Sequence, residues 1–437
     1  MTGVDGPTTV TGRRPGRIPV VLRDRSFRRY WTAQSLSYVG DQVTMVALPL
    51  TAVLALDASA VDMGLLWTLE SLPLLLFSLH AGAWVDRRGR RRRIMISTDL
   101  ARAVLLGSVP VAYLVGALTL PYVYAVAFLV GALAVLFNVS SYSLFPAMVP
   151  REHFVAGTSL TRGSFSFALV AGPGVGGVLV QIVSAPVTIL LDALSFVVSA
   201  VLLRSVDVTE PEGDPTEARG YVWEGLRFVR RTPALLAKFV AGAGLNFFYS
   251  VYFTLLFLFA ARELGLSAGM IGLVISVGAV GALVGSAVTT WTSGRIGLGA
   301  TFIVGSFLYP AALVLTPLAT GDRWLVVTML LVGEFVSAVG LMLCDISGTS
   351  IQQALTPDVL RSRVQGAHLA VNYGARPLGS LVAGGMGTWL GLRPTMWIAV
   401  VGGAASVLFL FWSPIPRMRE LPVPPDDHRR PVPEEAS

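Results

Sequence analysis

The sequence predicts an all-α membrane protein of twelve transmembrane helices, arranged as two six-helix halves related by an internal pseudo-repeat. Three observations predict it. Only 14% of the 437 residues are charged and 54% are hydrophobic. A soluble domain carries about a quarter charged residues, so most of this chain does not face water. Twelve apolar runs reach the roughly 20 residues that hydrocarbon requires. The basic residues at their ends fall on one side, 27 against 3, when successive loops are assigned alternately to two faces. Cytoplasmic loops collect Lys and Arg, so both termini are expected in the cytoplasm, with the chain crossing the cell membrane an even number of times.

Residues 1–30 hold Arg13, Arg14, Arg17, Arg23, Arg25, Arg28 and Arg29. They read as a disordered cytoplasmic tail with no signal peptide, leading into an interfacial segment. The first half, 31–204, contains apolar runs at about 31–56, 61–85, 94–117, 120–148, 153–183 and 186–204. A polar inter-half loop at 205–232 follows. The second half, 233–412, contains runs at about 233–262, 267–292, 299–319, 323–347, 362–391 and 393–412. The Pro-rich charged tail, 413–437, reads as disordered. Phe145-Pro-Ala-Met-Val-Pro150-Arg before helix 5 parallels Gln353-Ala-Leu-Thr-Pro357-Asp before helix 11, and Gly172-Pro173 parallels Arg376-Pro377. Two such halves around a site near mid-bilayer are a transporter architecture.

The most charged turn runs from Gly82 to Arg93, with Asp86, Arg87, Arg88, Gly89, Arg90, Arg91 and Arg92 between. An apolar helix cannot carry this charge through lipid. Gly82 lets another helix approach. Asp86 can pair with arginines or sit at a helix N-terminus. Gly89 permits a positive-φ turn, and Arg90 to Arg93 anchor the turn to anionic headgroups. Ser293-Gly294-Arg295-Ile296-Gly297 is a worn copy that keeps Arg-x-Gly and lacks the acid. A plain positive-inside loop explains the arginines but not Gly82, Asp86 and Gly89 at this spacing, so the turn reads as a gating element. Asp99 and Arg102 share a helical face three residues apart and read as a structural pair bracing it.

Charges within the spans are the candidates for chemistry. Helix 1 carries a polar stripe of Gln34, Ser37, Asp41, Thr44 and Thr51. Glu70 lies near the middle of helix 2 and Glu334 near the middle of helix 10, on a stripe with Ser337, Leu341 and Asp345. Asp192 is nearer the outer end of helix 6. Arg162 in helix 5 and Arg376 in helix 11 oppose these acids, Arg376 on a stripe with Gln365, Asn372 and Gly379. A carboxyl in a low-dielectric surround favours its neutral form, which suits a proton carrier. The competing reading is a set of buried ion pairs that only hold helices together. Glu70 and Glu334 are assigned to function, since mid-bilayer acids are usually functional. Asp41 and Arg376 stay open between the two readings, and Asp192 and Arg162 go to packing. In helix 7, Asn246 and Tyr249 are placed at the cavity, and most of the surrounding aromatics at lipid or in packing. His80 and His368 read as packing residues. Lys238, the only lysine, reads as compositional bias, and the single Cys344 can form no intramolecular disulfide and alone no metal site.

The pattern Gly-x-x-x-Asp-Arg-x-Gly-Arg-Arg at 82–91 resembles the signature of the major facilitator superfamily of transporters. Within that superfamily, the turn latches the inner ends of the two halves in the outward-facing state. Gly172-Pro173-Gly174-Val175-Gly176-Gly177 resembles its antiporter motif in helix 5, with Ala168 where an upstream glycine is often found. Thr98–Ala103, Leu191–Phe196, Glu224–Arg230 and Thr356–Val364 resemble the branch holding the enterobactin exporter and macrolide-efflux proteins. The resemblance implies proton-driven export of a drug-, antibiotic- or siderophore-like molecule, with no cofactor and the proton gradient as energy source. The chain carries no Walker-type phosphate loop and no nucleophile or metal constellation in its spans, so it is not expected to be an enzyme. The scattered charge excludes nucleic acid as a partner. The expected partners are a small molecule, protons and the bilayer, and by fold-level analogy the chain acts as a monomer. Import or facilitation on the same fold is compatible with the charge pattern, and the helix 5 motif argues against it. A non-transporting receptor would need a folded soluble appendage, for which the tails and the 205–232 loop are short.

Overall fold

The computed structural model describes residues 20–208 and 221–420. Among them the chain is helical, and it builds twelve crossings in two sets of six. The first set is α1 (Arg25–Ala55), α2 (Ala60–Arg88), α3 (Arg91–Leu114), α4 (Leu120–Met148), α5 (Phe154–Val183) and α6 (Ala185–Arg204). A short amphipathic helix, α7 (Tyr221–Arg231), precedes the second set. That set is α8 (Pro233–Arg262), α9 (Ala268–Ile296), α10 (Leu298–Ala312) with the one-turn α11 (Leu315–Leu318), α12 (Arg323–Leu355), α13 (Arg361–His368) with α14 (Gly374–Trp389), and α15 (Leu392–Ser406). Among the described residues, eleven helical segments are long and apolar enough to cross a membrane, α10 counted together with α11. The twelfth crossing, α13–α14, is broken by a π-helical segment at Leu369–Tyr373.

Local chemistry sets the ends. Asp24 caps α1 by accepting from the Phe27 amide at 2.7 Å. Ser59 and Asp62 form a reciprocal capping box at the start of α2. Gly89 ends α2 at φ 61°, a left-handed conformation that a β-carbon disfavours.

Two segments differ from the polar and disordered tracts expected of them. Inside 205–232, α7 forms because Leu226 and Val229 recur on one face and bury against Leu235, Phe239, Val364 and Ala367. Gly225 makes this docking possible, since a β-carbon there would collide with the Arg363 carbonyl. At the C-terminal end, Arg419 and Met418 carbonyls accept from the Leu298 and Gly299 amides at 3.2 and 2.8 Å. They satisfy donors that a helix start leaves open. Residues 1–19, 209–220 and 421–437 lie outside the described residues, and with them the rest of those tails and of the inter-half loop.

The cores reveal how the halves meet. One continuous apolar core includes Val46, Leu50, Met63 and Val180 of the first half with Tyr252, Phe257, Ile271 and Met396 of the second. It occupies the ends of the helices away from the start of α1, here called the far face. At the basic face, where α1 begins and Arg419 meets α10, the cores are separate. Phe27, Tyr30, Met95, Leu144 and Leu203 form that of the first half, and Phe302, Ile351, Leu410 and Ile415 belong to that of the second. The halves are therefore joined at the far face and parted at the basic face.

Glycine crossings make the far-face closure. A β-carbon on Gly64 of α2 would stand 3.0 Å from the Cα of Gly384 on α14, and one on Gly177 of α5 would stand 3.0 Å from the Cα of Gly272 on α9. Absence of side chains lets each backbone pair touch, as membrane helices do at small residues.

Candidate functional site

The parted basic face exposes a cavity of about 620 Å³ between the halves. Almost all of its wall comes from the second half; the first contributes Met45, Trp67, Glu70 and Ser71. An aromatic ladder crosses it. Trp67 of α2 meets Phe253 of α8 edge-on at 5.0 Å, Phe253 stacks on Tyr249 at 5.6 Å, and Tyr249 packs on Tyr309 at 5.3 Å. Such ring pairs hold one another in orientation as well as burying area.

Charges of both signs line this apolar space. Arg376 donates from Nε to Asn246 Oδ1 at 2.9 Å, and its guanidinium lies 4.3 Å from the Tyr373 ring centre. Both contacts hold the cation at the cavity wall. Lys238 is buried and donates to Gln352, whose amide donates to Gln365 at 3.1 Å. Glu70 and Asp345 are the acids of the wall. His368 lines it as well and meets Asn372 Nδ2 at 3.1 Å. The π-segment spans Asn372, turning it and Arg376 with the extra residue in that turn; such bulges recur at functional sites.

Of the residues singled out in the sequence, Glu70, Asn246, Tyr249, Asn372 and Arg376 converge on this cavity. Glu334 does not line it. It accepts from Tyr252 Oη at 2.7 Å, and that hydroxyl also meets Thr316 Oγ1 at 2.9 Å, within the second half. Arg162 does not line it either. It is exposed, only two turns from the start of α5, so its charge reaches the edge of the fold instead of the cavity. Lys238 and His368 are cavity residues that sequence reasoning set aside. The available signal for Lys238 was an ammonium six residues into an apolar run.

Asp41 belongs to a different constellation, buried among α1, α3 and α6. Its carboxylate pairs with Arg102. Arg102 Nη1 is 3.8 Å from Asp99 Oδ1, and its guanidinium lies 3.8 Å from the centre of the Phe196 ring. Ser199 donates to Asp99 Oδ2 at 2.6 Å. Asp192 packs against Gly40, where a β-carbon would collide with its carboxylate, and Ser195 donates to it at 3.1 Å. Asp99, Asp192 and Arg102 are all buried, whereas the Asp41 side chain is 44% exposed. Removing one partner of the Arg102–Asp99 pair, buried on both sides, costs about 3–5 kcal/mol if a charge is left uncompensated.

The helix 5 motif sits between this constellation and the far-face closure. Gly172 abuts Gln42 and Gly176 abuts Val43 of α1, while Pro173 and Gly177 touch Gly272 and Ala268 of α9. The Gly174 amide donates to Ser276 at 2.8 Å. The charged turn joins α2 to α3 at the basic face. Gly82 has open space around it in this conformation. Arg87 and Arg90 are exposed, and Arg91 is buried at the start of α3. Arg88 lies 5.0 Å from the Trp84 ring, and Arg92 donates to the Val206 carbonyl. The Asp86 side chain lies outside the described residues.

Comparison with known proteins places this geometry. The sequence model of the Major Facilitator Superfamily matches residues 30–344 and 248–436. The chain is 30% identical over 406 residues to the multidrug efflux pump Tap of Mycolicibacterium fortuitum, covering 87% of this chain and 93% of that one. It is 24% identical to the enterobactin exporter EntS of Citrobacter koseri, over 92% and 95% of the two chains. Among solved structures, a bacterial homologue of the iron transporter ferroportin in its inward-facing state superposes with a TM-score of 0.70 at 17% identity, covering 89% of this chain and 98% of that one.

Proposed function

The chain belongs to the Major Facilitator Superfamily, and we propose that it is a proton-coupled exporter of small amphipathic molecules, working by alternating access in the cell membrane with both termini in the cytoplasm. The observation that carries this reading is the cavity: it lies between halves that are joined at the far face and parted at the basic face, and it sets aromatic surface beside charges of both signs. Apolar burial is non-directional, so the ladder of Trp67, Phe253, Tyr249 and Tyr309 suits flat, drug-like bodies of varied outline. Glu70 and Asp345 are partners for a cationic group, Lys238 and Arg376 for an anionic one. The positive-inside rule supports loading from the cytoplasm. The relatives' names, multidrug efflux pump and enterobactin exporter, support the outward direction.

In this scheme the halves rock about the cavity. Protonation of Glu70 from outside neutralises the acid that holds a cationic solute, so the solute leaves and the proton travels inward in its place. Glu334, held by Tyr252 in the second half, is the second proton carrier.

The test is ethidium movement in proteoliposomes under an imposed pH gradient. Vesicles that are acidic on the far-face side should move ethidium toward that side against its own gradient, with protons moving the other way. The Glu70→Gln, Glu334→Gln double variant should lose the proton movement. Unchanged proton movement in that variant would remove both acids as carriers. Ethidium movement indifferent to the pH gradient would overturn proton coupling, and uphill movement toward the basic face would reverse the direction.

A further inference from the structure

We propose that Asp41, Asp99 and Asp192, gathered around Arg102 inside the first half, form a second protonation site outside the substrate cavity, and that its charge state reaches the far-face closure through residues 41–43 of α1. The proposal rests on the proton-coupled reading above for its role in transport, and on the geometry alone for proton binding.

Two carboxyls, Asp41 and Asp99, pair with one guanidinium in this cluster, and a third, Asp192, packs beside Asp41 against Gly40. With all three ionised the enclosed group would carry a net charge of minus two, and an uncompensated charge in a membrane interior is expelled or neutralised. Protons are the available neutralisers. A metal ion is disfavoured because Arg102 already occupies the centre. Two atoms stand ready for a proton: Asp99 Oδ1 and Asp192 Oδ2 are buried and make no hydrogen bond. Arg102 Nε is likewise unbonded, so the guanidinium can shift between Asp41 and Asp99 as their charges change. The other facing groups are Thr44 and Tyr38 on α1, Ser195 and Ser199 on α6 and the Phe137 ring on α4. Arg162 of α5 lies toward the basic face near Tyr38, and Glu70 of α2 feels the charge of Asp41. Asp41, part exposed, is the member that can exchange protons with water.

The mechanical link is a run of direct contacts. Gln42 and Val43 follow Asp41 and lie on Gly172 and Gly176; the adjacent residues Pro173 and Gly177 touch α9. A shift of α1 that accompanies release of Arg102 from Asp41 is therefore delivered to one of the two crossings that seal the far face. Coupling between the sites requires each end of this run of contacts to take two arrangements, and the Gly176→Leu variant tests it.

The experiment is pH-difference infrared spectroscopy on the full-length protein in lipid, without any substrate. The carbonyl stretch of a protonated carboxylic acid should appear in the wild type as pH falls. It should lose intensity in the Asp99→Asn, Asp192→Asn double variant and, should that fold poorly, in Asp192→Asn alone. Full intensity in a folded variant overturns the site. Gly176→Leu tests the link. It should keep the infrared band and lose pH-driven ethidium movement; retention of both overturns the coupling to the closure. A wild type that shows the band but no pH-driven ethidium movement keeps the protonation site and overturns the proton-coupled reading.

Discussion

The two halves close on each other by the same device and do different chemistry. At the far face each side of the interface has one glycine crossing, Gly64 on Gly384 and Gly177 on Gly272. Away from those crossings the halves diverge. The first half encloses its charge, with Arg102, Asp99 and Asp192 buried and Asp41 part exposed among α1, α3 and α6. The second half turns its cations outward to the cavity, where Lys238 and Arg376 stand among the aromatic rings. A repeated backbone thus needs symmetric small residues where helices touch, but leaves the polar positions free. One half can line a cavity while the other encloses a charge cluster.

The sharpest way to break that comparison is at the two copies of the charged turn. The first copy keeps Asp86 and a left-handed Gly89; the second keeps Arg295, stacked 4.9 Å from Trp291, and has no acid. If only the first is a latch, Asp86→Asn abolishes ethidium efflux and leaves the amount of protein in the membrane fraction unchanged, whereas Arg295→Gln transports nearly normally. A latch that contributes about 3 kcal/mol to one of two states moves their ratio on the order of a hundredfold. Full efflux by the Asp86→Asn variant would reduce the first turn to a topological role, like the second.

A smaller effect separates the cavity walls. Tyr249→Ala removes the central ring of the ladder, which contacts Tyr252, Phe253 and Tyr309. Burying a side chain of this size is worth about 1.5–3 kcal/mol, so the half-saturating ethidium concentration should rise by about tenfold or more. Met45→Ala, on the sparse wall of the first half, should raise it by no more than about threefold. Equal effects at the two positions would dissolve the division of labour, and concentration dependence of initial rates decides between them.

The crossings were legible because hydrocarbon imposes one length and one composition on every span. The run expected at 120–148 and the observed α4 coincide, and most other limits agree within a few residues. The site was legible only in part. Polar residues on a stripe announce that they avoid lipid, and Glu70, Asn246 and Arg376 could be named on that ground. The stripe does not say whether they turn to a cavity or into their own half. Asp41 and Glu334 turned inward, to Arg102 and Tyr252, because partners on other helices were in reach. Those partners are set by tertiary packing between α1 and α3 and between α8 and α12. The π-segment at Leu369–Tyr373 left no mark in the residue pattern, and α7 was hidden because its apolar face is short and closes on a helix far along the chain.

The smallest predicted effect lies where α7 docks on α13. Glu224 pairs with Arg363 there, 52% and 29% exposed respectively. Exposed pairs contribute about 0–1 kcal/mol, since water already solvates both charges. What holds α7 is the burial of Val229 against Leu235 and Val364, with Gly225 pressed on the Arg363 backbone. Glu224→Gln should therefore leave ethidium efflux unchanged and lower the unfolding temperature by little, whereas Gly225→Val should release α7 and expose it to limited proteolysis. If the two variants are cleaved alike, the ion pair and not the packing fastens this helix. The second half would then also rely on charge to hold itself together at the basic face, and the contrast with the first half would narrow to the cavity alone.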